Sequence, residues 1–88
     1  MFRAIQTSVE AISSSLANLP IGAHGRVIAV NGTGAIARRL MEMGMVPGAQ
    51  VRVIKTAPLG DPIEVRVRGY HLALRRNEAQ NITVAAGQ

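Results

Sequence analysis

A small, strongly bent β-barrel of five short strands is the architecture this sequence predicts, with one α-helix inserted after the first strand and a helical extension ahead of it. Three observations predict it. An amphipathic helix around Ile36, Leu40 and Met43 ends on Gly44. Pro58 and Pro62 bracket a loop that no central strand can contain, because neither donates a backbone N–H. The flanking segments alternate apolar and polar residues with the period of two that marks a strand with one buried face.

In chain order, Phe2, Ile5, Val9, Ile12 and Leu16 are spaced 3, 4, 3, 4 on a serine-rich segment, a heptad seam that predicts an N-terminal amphipathic helix over residues 1–18. Thr7-Ser8-Val9-Glu10 fits a capping box near its start. Ser13-Ser14-Ser15 lowers the helix propensity, so the segment needs a surface to lie on. The surfaces open to it are its own barrel, a second copy of the chain, a partner or a membrane interface. The last is the weakest, because the polar face carries serine and threonine instead of a lysine stripe.

After Leu19-Pro20 the period changes, and Gly25 to Val30 reads as the first strand, followed by the flexible loop Asn31-Gly32-Thr33-Gly34. Thr33 or Gly34 is placed to cap the helix. On that helix Ile36, Leu40 and Met43 recur at i, i+4 and i+7, widened by Ala37 and Met41, with Arg38, Arg39 and Glu42 on the opposite side. Gly44 sits where a residue of positive φ ends a helix. Pro47-Gly48 then fits the centre of a type II turn that launches Val51 to Lys55 as a strand.

Beyond the 57–62 loop, Ile63 to Arg68 alternates strictly, with three apolar β-branched residues on one face and three charges on the other. His71 to Arg75 forms the next strand after Gly69-Tyr70, Arg76 to Gln80 a single helical turn, and Ile82 to Val84 the last strand. The expected core is Val27, Leu40, Val51, Val53, Val65, Val67, Leu74 and Ile82.

Eighty-eight residues suffice for one small domain. The absence of cysteine excludes disulfides and thiolate metal sites, and fits a reducing compartment. No apolar run of about 18 residues is present, and the first residues do not form an export signal. Ten basic against five acidic residues give a formal charge of +5, and nine of the ten bases are arginine, which fits an acidic partner surface. The arginines are spread over several elements, as expected for solvated strand faces.

The order Leu19-Pro20-Ile21-Gly22, Gly25-Arg26-Val27, Arg38-Arg39-Leu40, Gly44-Met45-Val46-Pro47-Gly48, Ala57-Pro58-Leu59-Gly60-Asp61-Pro62-Ile63, Leu72 to Ala79 and Ile82-Thr83-Val84 resembles the FeoA family, the small cytosolic component of the bacterial ferrous iron uptake system. The resemblance covers residues 19 to 84 and rests on several turn motifs in order. It implies an SH3-like domain over residues 19–86 behind the 1–18 extension. It also implies a non-enzymatic, cytoplasmic accessory of FeoB, the membrane permease with a cytosolic GTP-binding domain. Membrane association is then expected only through that transporter. Residues 1–18 depart from the family pattern, whose members enter the first strand after a shorter lead.

No catalytic constellation stands beside this. The sequence has no HExxH and no P-loop, and Gly32-Thr33-Gly34 lacks the Lys-Ser/Thr that phosphate binding needs. His24, His71, Asp61, Glu64 and Glu78 are ferrous-ligand types, but nothing in their spacing brings them together. No cofactor and no metal site are therefore expected, and Asp61 is expected to bond backbone groups within its own turn. Met41 and Met43 read as helix residues filling a small core.

The expected partner surface is the helix face of Arg38, Arg39 and Glu42 with the loop tip Leu59, Gly60 and Asp61, since a small barrel offers loops and edges instead of a deep pocket. Phe2, Ile5, Val9, Ile12 and Leu16 offer a homo-oligomer contact. The alternative is a basic nucleic-acid-binding barrel, but such barrels stack bases on exposed aromatics and this chain has only Phe2 and Tyr70. A third reading, the C-terminal barrel of an iron-dependent repressor, lacks a helix-turn-helix domain ahead of it.

Overall fold

Residues 13–32 and 34–86 are described by the structure, a computed structural model. The elements are β1 (Ser13–Ser15), a 3-10 turn (Leu16–Asn18), β2 (His24–Val30), α1 (Gly34–Glu42), β3 (Gln50–Thr56), β4 (Ile63–Val67), β5 (Tyr70–Leu74), α2 (Arg76–Ala79) and β6 (Ile82–Ala86). The strands form one antiparallel sheet in the order β1-β6-β2-β3-β4-β5. Register shifts between Val27 and Ala29 and between Val53 and Lys55 bend its long central strands.

The sheet has six strands instead of the expected five, and the extra one corrects the reading of residues 13–18. Ser13–Ser15 is a strand and Leu16–Asn18 a single 3-10 turn, not the end of an α-helix. Ser13–Ser15 pairs with Thr83–Ala85 of β6. Ser15 Oγ accepts from Ala17 N at 3.1 Å and donates to Ala79 O at 3.1 Å. Serine hydroxyls compete for backbone groups in this way, which favours strands and caps over helix interiors. Leu16, expected on a heptad seam, is fully buried in the barrel core. The other seam residues, Phe2, Ile5, Val9 and Ile12, lie outside the described residues.

Every expected core residue, Val27, Leu40, Val51, Val53, Val65, Val67, Leu74 and Ile82, is buried, joined by Leu16, Met45, Ile63 and Val84. Alternation carries the inward set along β3 and β4, where Val51 pairs with Val67 and Val53 with Val65. On α1 the buried stripe is Ala37 and Leu40, while Ile36 and Met41 are exposed, so the apolar face is narrower than expected. Met45, not Met41, fills the core.

The turn chemistry explains how α1 ends. Gly44 has φ 106°, its N–H bonds Met41 O at 3.0 Å, and Met45 N–H bonds Leu40 O at 3.1 Å. This is a Schellman ending, and its accompanying apolar contact joins Leu40 to Met45, both fully buried. Ala49 N–H bonds Val46 O at 3.0 Å across Pro47-Gly48, with Gly48 at φ 94°, the geometry of a type II turn. Between β4 and β5 the two-residue turn is Arg68-Gly69, both at positive φ, as a type I′ hairpin requires.

Candidate functional site

The residues expected to face a partner lie on two separate elements, and the short helix α2 ties them together. At one end Glu78, only 7% exposed, takes Arg39 of α1 in an ion pair of 2.5 Å. Its other oxygen accepts from Arg75 N at 2.9 Å, closing the first turn of α2. At the other end Arg76 N donates to Asp61 Oδ1 at 3.1 Å, and the Arg76 side chain donates from Nε to Gly60 O at 3.1 Å. Arg76 Nη1 reaches Ala17 O at 3.0 Å, which fastens the 3-10 turn to the same junction.

Loop 57–62 is itself closed by Gly60 N–H to Ala57 O at 2.7 Å and Ala57 N–H to Pro62 O at 3.0 Å. Gly60 has φ 87°, a conformation that side chains with a Cβ rarely adopt. The loop holds Leu59 at its tip with 96% of its surface exposed. Asp61 corrects the expectation of a bond within its own turn: its partner is the N-terminal N–H of α2, fifteen residues away. A carboxylate there satisfies a donor that a helix start leaves free.

Two shallow depressions connect these parts. The first, of about 320 Å³, runs between the helices and is lined by Ala35, Ile36, Arg39, Arg75, Asn77 and Glu78. The second, of about 440 Å³, is lined by Asp61, Pro62, Ala73 and Arg75. Arg75 lines both. The surface so formed runs from exposed Ile36 on α1, past Arg75, to the loop. Of the expected residues, Arg39, Gly60 and Asp61 are held by the α2 junction, while Arg38, Glu42 and Leu59 are exposed.

Sequence reasoning placed Ile36 on the apolar stripe of the helix and passed over Arg75 and Arg76 as partner-facing candidates. The usable signal for the junction was Arg75-x-x-Glu78, an acidic N3 residue at the start of a single helical turn. The candidate metal-ligand types do not gather: among the described residues no three His, Cys, Asp or Glu come together. Glu78 is engaged with Arg39, Asp61 with Arg76, and Glu64 lies 3.9 Å from Lys55. His24 and His71 are exposed on different strands.

Residues 14–86 match the FeoA domain. The chain belongs to the FeoA family. It is similar to the Fe(2+) transport protein A/Fe(2+) transporter FeoB fusion protein of Porphyromonas gingivalis, at 38% identity over 78% of this chain. It spans only 8% of that much longer relative. The solution structure of the FeoA protein from Chlorobium tepidum superimposes with a TM-score of 0.76 at 48% identity, covering 81% of this chain and 68% of that one. Stenotrophomonas maltophilia FeoA, described as an SH3 domain protein and solved in complex with zinc, gives a TM-score of 0.74 at 34% identity, covering 84% and 95%.

The SH3-like fold expected from the FeoA resemblance is thus the observed one. The fusion links the family to ferrous iron transport. FeoA proteins are small accessory domains and are not a known enzyme family. Among the described residues no helix is long and apolar enough to cross a membrane.

Proposed function

We propose that this protein is a non-catalytic, cytoplasmic accessory of ferrous iron transport that binds the FeoB GTPase-permease on its cytosolic side and regulates or assembles it. The observation that carries the reading is the α2 junction. Arg39–Glu78 and Arg76–Asp61/Gly60 tie the α1 face and loop 57–62 into one presented surface, with Leu59 and Arg75 exposed on it and Arg38 exposed next to Arg39 on α1. A preformed surface binds at lower ordering cost than a mobile one. The fused arrangement of the two proteins in P. gingivalis supports the choice of partner.

Arg39 acts here as a positioning residue, because its guanidinium already bonds Glu78. The contacts that reach a partner are those of Arg38 and Leu59. The test is binding of the full chain to the FeoB cytosolic GTPase domain and to detergent-solubilised FeoB, each with GDP and with a GTP analogue. Leu59→Asp combined with Arg38→Glu is expected to abolish measurable binding while leaving the circular dichroism spectrum unchanged. Undiminished binding by that variant would remove the surface from the interface, and absence of binding by the wild type in every nucleotide state would remove the partner.

A further inference from the structure

The outer face of the central sheet carries a row of arginine and histidine side chains that the α2 junction does not use. Strand register places His24 opposite Arg52, Arg52 opposite Arg66, and Arg66 opposite His71, one residue from each of β2, β3, β4 and β5. All four are exposed. Directly opposed residues on one face have Cβ atoms about 4.5–5.5 Å apart, so Arg52 and Arg66 stand as a like-charge pair of the kind that destabilises a sheet. Arg26, exposed and two residues along β2 from His24, extends the field over Gln50. The acid of this face, Glu64, is opposite Lys55 instead.

We infer that this face is a docking surface for an acidic α-helix of a partner protein laid across the strands. Neighbouring strands lie about 4.8 Å apart and an α-helix rises about 5.4 Å per turn, so a helix crossing β2 to β5 presents one carboxylate per strand. Arginine matches carboxylate with two parallel hydrogen bonds, and an acidic helix face removes the Arg52–Arg66 repulsion when it binds.

Single-stranded nucleic acid fits less well. It needs aromatic stacking platforms, and Tyr70, the exposed aromatic among the described residues, alternates to the opposite face of β5 from His71. An anionic bilayer fits less well too, because Ile28, beyond Arg26 on β2, is the one exposed large apolar residue that continues this face, while Ile21, Ile36, Met41, Leu59 and Tyr70 lie outside the row. The row adjoins the second depression at Ala73, two residues along β5 from His71, so one partner can engage both surfaces without either needing the other.

The test uses the full chain and a synthetic helical peptide with glutamates on one face. Its controls are a scrambled peptide of the same composition, a single-stranded oligonucleotide and vesicles of mixed neutral and anionic lipid, all at two salt concentrations. The helical peptide is expected to bind, to weaken with salt, and to lose at least about tenfold in affinity against Arg52→Glu/Arg66→Glu. Because charge reversal can perturb a strand, Arg52→Thr/Arg66→Thr, which keeps β-favouring residues, is measured alongside and is expected to weaken binding with a raised melting temperature. Equal binding by both row variants, equal binding of the scrambled peptide, or tighter binding of the oligonucleotide or vesicles would each overturn the inference.

Discussion

The two charged surfaces of this molecule differ in whether their charges are answered from within. Around α2 they are: Arg39 meets Glu78, Asp61 meets the Arg76 N–H, and the Arg76 guanidinium meets two carbonyls from distant segments. Along the Arg52–Arg66 row, among the described residues, they are not: the two arginines oppose each other between two histidines, and Glu64 lies opposite Lys55. Nearly equal numbers of arginines therefore do opposite things. In the first surface charge builds the scaffold and fixes loop and helix relative to each other. In the second it costs a little stability and is left facing outward.

Breaking the scaffold side is expected to give the largest effects. Leu16→Ala removes a fully buried side chain beside the Ala17 carbonyl that holds Arg76, and should cost about 3 kcal/mol in chemical denaturation. The same variant should leave the sedimentation mass unchanged, since Leu16 is spent on its own core. Glu78→Ala should cost about 1–2 kcal/mol, because it removes the buried carboxylate that accepts from the Arg75 N–H at the start of α2 and holds the largely exposed Arg39 side chain. It should also loosen α1 against loop 57–62, seen as faster amide exchange at Gly60.

Gly60→Val comes next, at about 1–2 kcal/mol. A Cβ at Gly60 would lie 3.6 Å from Arg76 Nη2, ordinary contact, so the cost is the positive φ and not a clash. Gly60→Ala should recover part of the loss and Gly60→Asn most of it, because asparagine tolerates this region. Equal stability of all three variants would show that the loop does not need its left-handed residue.

Much of this was legible in the chain. The period-two runs through Val51, Val53, Val65 and Val67 named the core, and Gly44 and Pro47-Gly48 named the turns, because these signals are local and each has one geometric solution. What stayed hidden was long-range. Nothing near Ser13-Ser14-Ser15 announces β6 as its partner, and the heptad spacing of Leu16 imitates a helix while the residue packs into a sheet. Nor does the order of residues tell that Ile36 faces out, that Asp61 caps a helix fifteen positions on, or that four strands bring Arg52 and Arg66 side by side. Register is a property of paired strands, and single-sequence alternation gives the face without the neighbour.

The sharpest use of the comparison is a substitution whose sign differs between the two sides. Removing charge at Glu78 or Arg76 takes away a partner and should destabilise, whereas Arg52→Thr/Arg66→Thr removes a direct like-charge opposition and should stabilise by about 0.5 kcal/mol, the scale of a single cross-strand pair. The gain should shrink as salt is added, since screening already relieves the repulsion between exposed groups. If instead the double variant is less stable at every salt concentration, the arginine stems are packing on the sheet and the row belongs with the scaffold after all. A gain that vanishes with salt leaves the row as charge held outward against its own cost, which is how a surface shaped for an external acid differs from one that has already found its acids within the fold.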